Sequence, residues 1–110
     1  MPSNPKTDPI LSRLRASLGQ IYGNRLERVV LYGSYGSRAR GDQGPDSDYD
    51  IAVFIRDPGR LGDELHRLAV VTTDILLDTG AVIAALPFRA GARRERTGFM
   101  HELRNDGLDL

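Results

Sequence analysis

Asp48 and Asp50 stand two residues apart at the head of DYDIAVFI, an apolar, β-rich run, so as strand residues their carboxylates leave the same face. Asp42 and Asp46 lie just upstream, and no basic residue falls between 42 and 50. Carboxylates crowded in this way repel one another, which raises their pKa values or recruits a cation. A hard divalent ion such as Mg2+ takes oxygen ligands, commonly one or two carboxylates plus substrate phosphates. Asp48 and Asp50 supply such a half-site and leave the remaining positions to a nucleoside triphosphate. Further upstream, Gly36-Ser37 follows an apolar strand and precedes a short helical turn expected near residues 37–41. Glycine lets a phosphate approach the backbone, a serine hydroxyl can donate to it, and N–H groups at a helix start favour negative charge. The two halves together suit phosphoryl or nucleotidyl transfer, in which metal ions clamp the attacking and leaving oxygens. Arg38 and Arg40 serve either as phosphate contacts or as solvated counter-charges to the acidic cluster.

The elements that must position these groups follow from local pattern. Residues 1–8 are polar, carry Pro2 and Pro5, and read as a disordered tail ahead of a single domain over 9–110. Asp8-Pro9 is a helix-start signal, with an N-cap side chain followed by a residue whose missing N–H costs nothing. Ile10, Leu11, Leu14, Leu18, Ile21 and Tyr22 then form one apolar stripe, and Gly23 offers a left-handed cap. Val29 to Tyr32 reads as a buried strand. The strand from Asp48 to Ile55 is apolar on both faces in its second half, which predicts a central strand covered on both sides. Over 60–77, Leu61, Leu65, Leu68, Thr72, Ile75 and Leu76 fit a helical stripe capped by Gly80. A β-branched start at Val70 to Thr73 leaves a strand as the alternative. Residues 81–86 predict a third strand ended by Pro87, and Phe99, Met100 and Leu103 a last short helix closed by Asn105 to Gly107.

Composition narrows the function classes. The 110 residues suffice for one domain, and fifteen basic side chains balance fifteen acidic ones. A neutral chain is not built mainly to grip nucleic acid or an anionic membrane. The absence of cysteine excludes disulfides, thiolate metal sites and a thiol nucleophile. No apolar run approaches the ~18 residues of a membrane span, so a soluble, cytoplasmic domain is expected. His66 and His101 stand alone without metal-ligand spacing and read as surface residues. The basic run of Arg89, Arg93, Arg94 and Arg96 reads as a solvated loop and helix start, although a protein partner, RNA or the triphosphate tail could use it. Tyr22, Tyr32, Tyr35 and Tyr49 need only packing, with Tyr35 also placed to stack on a base.

The segment GSRARGDQGPDSDYD, Gly36 to Asp50, resembles the Gly-Ser, ten residues, Asp-x-Asp signature of the polymerase-β-type nucleotidyltransferase superfamily. The match is closest to its minimal nucleotidyltransferase branch. The fold implied is α/β (α+β), a short mixed sheet of about three to four strands with helices packed on it. By position, the resemblance makes Asp48 and Asp50 the catalytic metal ligands for Mg2+, with Gly36 and Ser37 holding the triphosphate. Spacing to the aspartates selects Gly36-Ser37, whereas adjacency to the strand selects Gly33-Ser34 and keeps Ser34 in reserve. Fuller members of the superfamily carry a third carboxylate on the following strand. The 81–86 run holds none, so only Asp74, if its segment were a strand, or Asp78, from the helix end, could supply one.

Relatives of this size are similar to the antitoxin of HEPN/MNT toxin–antitoxin pairs, in which the transferase modifies a tyrosine of an all-helical HEPN toxin. The implied function is transfer of a nucleoside monophosphate, AMP from ATP, to a hydroxyl of a partner protein encoded by a neighbouring gene. The alternative is a catalytically weak domain, or an NTP-binding module, that acts by protein–protein binding alone. The sequence leaves acceptor, base preference and oligomeric state open.

Overall fold

A computed structural model describes residues 7–32 and 49–110. Its elements are α1 (Pro9–Tyr22), β1 (Leu26–Tyr32), β2 (Tyr49–Ile55), α2 (Leu61–Thr79), β3 (Ile83–Arg89), α3 (Gly98–Asp106) and β4 (Leu108–Asp109). Short 3-10 turns occupy Gly23–Arg25 and Ala90–Arg94. The helical turn expected near 37–41 lies outside the described residues.

The strands form one mixed sheet in the order β3-β2-β1-β4. β1 pairs antiparallel with β2 and with β4, while β2 and β3 are parallel. Two parallel neighbours need a crossover, and α2 provides it. Strand alternation then divides the core. Val29 and Leu31 of β1 with Ile51, Val53 and Ile55 of β2 pack on α1 and α2 through Leu11, Leu14, Leu18, Leu68, Val71 and Ile75. Val30, Ala52 and Phe54 point the other way, onto Met100 and Leu103 of α3 and onto Ala92. The central strand is thus covered on both faces, as its apolar second half predicts.

Asp8 caps α1 as expected, accepting from the N–H groups of Ile10 at 2.9 Å and Leu11 at 3.4 Å. Gly23 ends the helix at a φ of 57°, a value that favours glycine, although its ψ of −129° lies outside the left-handed helical basin. α2 is the helix the stripe predicts, closed by Gly80 in the left-handed conformation at a φ of 79°.

Three expectations are corrected. β1 begins at Leu26, ahead of the apolar run at 29–32, because pairing with β2 extends to Ile55. The buried face of α2 is Glu64, Leu68, Val71 and Ile75, whereas Leu61, Leu65 and Leu76 are 64, 39 and 41 % exposed. Helical phase separates the two sets, and the sheet covers only one of them. Pro87 does not end the third strand but sits inside it. The Val82 carbonyl accepts from Tyr49 N–H, so alternate residues of β3 turn towards β2 and Pro87 turns its nitrogen to the open edge, where no ladder bond is lost.

The last helix forms as expected, with Thr97 Oγ1 accepting from Met100 N–H at 3.1 Å as its cap. β4, which no local pattern marks, pairs with β1 at Leu31 and Val30.

Candidate functional site

Asp50 is the second residue of β2 and lies half-buried on the α3 face of the sheet. Directly opposite it are Tyr32 at the end of β1 and Ala84 in β3. The strand beneath it does not slide: β2 is bonded along both edges, and Ile51 to Ile55 have no exposure to solvent. The preceding residue is pinned as well. Tyr49 points to the opposite face, where its hydroxyl donates to Asp8 Oδ2 at 2.9 Å. Asp8 therefore uses one oxygen to start α1 and the other to hold the residue beside Asp50. Sequence reading assigns these two residues only capping and packing, because no local pattern joins positions 41 apart.

Tyr32 begins an aromatic cluster next to Asp50. Its ring meets Phe99 edge-on at 5.3 Å, Phe99 stacks on Phe88 at 5.7 Å, and Phe88 on Phe54 at 5.5 Å. Ala52, facing the same side between Asp50 and Phe54, leaves room above the sheet for these rings. Burial raises the Tyr32 phenol above its ordinary pKa, and the Asp50 carboxylate adds to the rise.

Of the residues singled out in the sequence, Asp50 falls within the described residues and takes the expected place at the head of a central strand. Asp48, Gly36, Ser37, Arg38 and Arg40, together with Ser34, Tyr35, Asp42 and Asp46, lie outside them. The two third-carboxylate candidates do not come to Asp50. Asp74 and Asp78 belong to α2, on the other face of the sheet, and Asp78 pairs with Arg13 of α1 at 2.7 Å. On β3 the residues sharing the face of Asp50 are Ala84, Leu86 and Phe88, none of them an acid. Among the described residues no three His, Cys, Asp or Glu side chains gather as a metal cage. The donor chemistry nonetheless fits a hard cation, since Asp50 offers carboxylate oxygens from a half-buried position. His66 and His101 are exposed, as are Arg89, Arg94 and Arg96 of the basic run, while Arg93 is half-buried; Arg89 pairs with Glu95 at 3.4 Å.

The opposite end of β2 carries a second polar cluster, around Glu64, whose residue is 1 % exposed. Its Oε1 accepts from Tyr22 O–H at 3.0 Å and Arg67 at 2.8 Å, and its Oε2 accepts from Gly59 N–H at 2.7 Å. Arg25 stands 3.5 Å from Oε2. Burial pushes the Glu64 carboxyl upward, but these hydrogen bonds and the arginine charge outweigh it and hold the pKa below its ordinary value. Burial and the Glu64 bond push the Tyr22 phenol up to about 12. The cluster ties α1, the β2–α2 connection and α2 together, away from Asp50.

The mixed sheet, with Asp50 near the head of a central strand and helices on both faces, is the fold that the sequence resemblance implies. The chain belongs to the nucleotidyltransferase domain family, which it matches over residues 11–91. It is 25 % identical over 101 residues to a protein of Methanocaldococcus jannaschii whose name marks it as a candidate protein adenylyltransferase, with 92 % of this chain and 95 % of that one covered. It also resembles, at a TM-score of 0.58 and 19 % identity, a chain in a crystal structure of a toxin–antitoxin with AMP-PNP, over 87 % of this chain and 68 % of that one. That second likeness is one of fold. No helix among the described residues is long and apolar enough to cross a membrane.

Proposed function

We propose that the chain transfers AMP from ATP to a hydroxyl of a partner protein, acting as the antitoxin of a HEPN-type toxin. The observation that carries this reading is the rigidly held, half-buried Asp50 at the head of the central strand of a nucleotidyltransferase domain. Asp50, together with Asp48 two positions before it in the sequence, would hold Mg2+, which would supply charge neutralisation at the triphosphate when bound. Gly36 and Ser37 would donate to the triphosphate, and Arg38 and Arg40 would balance its charge. The acceptor oxygen forms a bond to the α-phosphorus, the bond from that phosphorus to the β-phosphate oxygen breaks, pyrophosphate leaves, and the acceptor proton passes to solvent. Because Ala84 and Leu86 face Asp50 from β3, that strand offers no base for this proton. A hydroxyl that is already acidic suits such a site best. The protein acceptor is supported by the name of the archaeal relative, and the toxin partner by the structural neighbour.

The same two positions favour a second reading, in which the domain neutralises its partner by binding alone. Incubation with α-labelled ATP, Mg2+ and the product of the neighbouring gene separates the two. Transfer predicts labelled partner that disappears in the Asp48→Ala, Asp50→Ala double variant while the circular dichroism spectrum is retained. A tight complex without label, unchanged by the double variant, would overturn transfer and support binding alone.

A further inference from the structure

We infer that the acceptor segment of the partner protein docks as an added strand on the free edge of β3, beside Ile83 and Ala85, and passes its hydroxyl across Ala84 towards Asp50. The inference rests on the transfer reading above and adds how the acceptor is held. Among the described residues β3 ends the sheet, in the order β3-β2-β1-β4. Tyr49 N–H donates to the Val82 carbonyl, so Val82, Ala84 and Leu86 spend their main-chain groups on β2. Ile83, Ala85 and Pro87 turn theirs to the open edge. The N–H and C=O groups of Ile83 and Ala85 have no main-chain partner there among the described residues. Such a row is what an extended peptide pairs with. Pro87 has no N–H to offer, which breaks the row beyond Ala85. Pairing is thereby confined to the end of β3 that lies alongside Tyr49 and Asp50.

Register then selects one residue of the segment. With Ile83 and Ala85 bonded to it, the segment's residue opposite Ala84 turns its side chain to the face of Asp50, whichever way the segment runs. Its backbone lies two strand spacings from β2, about 9.5 Å. Ala84 stands directly between them, exposed and with nothing beyond Cβ to bar the way. Leu86, 44 % exposed on the same face, gives the crossing side chain an apolar footing. A serine or threonine hydroxyl stays beside its own backbone and falls short, whereas tyrosine carries its hydroxyl a ring's length out. A second copy paired through its own β3 would bring no hydroxyl to that position, because Ile83 to Arg89 contains none.

The test is amide hydrogen exchange by NMR on the full chain, free and with the product of the neighbouring gene, beside the labelling assay with α-labelled ATP. In the free chain Ile83 and Ala85 should exchange fast, and Ala84 and Leu86, bonded to β2, slowly. The partner should slow Ile83 and Ala85 by roughly tenfold or more. Ala85→Pro removes one edge donor and, like Pro87, leaves the β2 ladder intact. It should keep the circular dichroism spectrum and cut labelling of the partner about tenfold. Ala84→Leu, at an exposed position, serves should the proline variant unfold: labelling should fall while the partner still slows the edge amides. Slow exchange at Ile83 and Ala85 already in the free chain overturns the inference, since the chain itself or a second copy then covers the edge. An edge that stays fast with the partner present also overturns it, and labelled partner in that case leaves transfer standing. A slowed edge without label upholds the docking and overturns transfer instead. Labelling undiminished in either folded variant overturns the route across Ala84.

Discussion

Glu64→Ala should remove about 2 kcal/mol of folding stability. The carboxylate is buried among four groups, of which Tyr22 O–H at 3.0 Å is shielded from water, whereas Gly59, whose N–H donates at 2.7 Å, lies at the surface. Losing it leaves the Tyr22 hydroxyl unpaired, at about 1–3 kcal/mol by the usual cost of an unsatisfied buried group, while Gly59 N–H can turn to water. The arginine contributions are discounted, because the side chains of Arg67 and Arg25 are 45 and 41 % exposed and screened by solvent. At this chain length about 2 kcal/mol lowers Tm by roughly 8 °C. Glu64→Gln keeps one acceptor oxygen and should cost about half as much. A cycle with Tyr22→Phe should return a coupling of about 1 kcal/mol. The pH dependence has a definite sign: the folded carboxyl lies below its ordinary value of 4.5, so its contribution is present above that pH and is lost as pH falls through the lower folded value. The stability gap between wild type and Glu64→Ala should therefore narrow only below about pH 4.5. Thermal and urea unfolding by circular dichroism between pH 3 and 8 measure both quantities. A Tm loss under about 3 °C at pH 7, or a gap that stays constant into acid, would refute this account of the cluster.

Asp8→Ala should cost about 2 kcal/mol, the sum of a lost N-cap and the Tyr49 hydroxyl bond, seen as a lower urea midpoint at unchanged slope. Tyr22, with its pKa pushed up to about 12, should appear as a late phenolate step when the ultraviolet titration of Tyr22→Phe is subtracted from that of the wild type. Its raised folded value also means that the stability it contributes is present below about pH 10 and lost as pH rises towards 12; uniform titration of all tyrosines near 10 would contradict this. Gly107→Ala would place a Cβ against the Leu103 carbonyl and Val30 Cγ1, although its φ of −74° suits any residue, so the cost is steric. A loss of about 1–3 kcal/mol is expected, with faster amide exchange at the β1–β4 pairing.

The architecture was legible wherever local chemistry decides it. Asp8-Pro9 and Gly80 mark helix ends through side-chain oxygen, proline ring and left-handed φ, all of which act within a few residues. The apolar run after Asp50 announced a strand buried on both faces, and the spacing between Ser37 and the aspartates carried the family resemblance. What could not be read depends on distant partners. The rotation of α2 was missed because Leu61, Leu65 and Leu76 are as apolar as the residues that do face the sheet, and a buried glutamate breaks the pattern. Pro87 reads as a terminator until its strand is known to be an edge. The clamp between Asp8 and Tyr49, and the aromatic cluster beside Asp50, join segments that nothing in the linear order connects.

β2 supplies the last point. With ladders on both edges and a packed layer on each face, its amides can exchange with solvent only when the whole domain opens. Asp50 therefore rides on the slowest-exchanging segment of the molecule. Heat or denaturant should extinguish any activity that depends on that carboxylate along the same curve as global unfolding, with no earlier phase of inactivation in a still-folded protein.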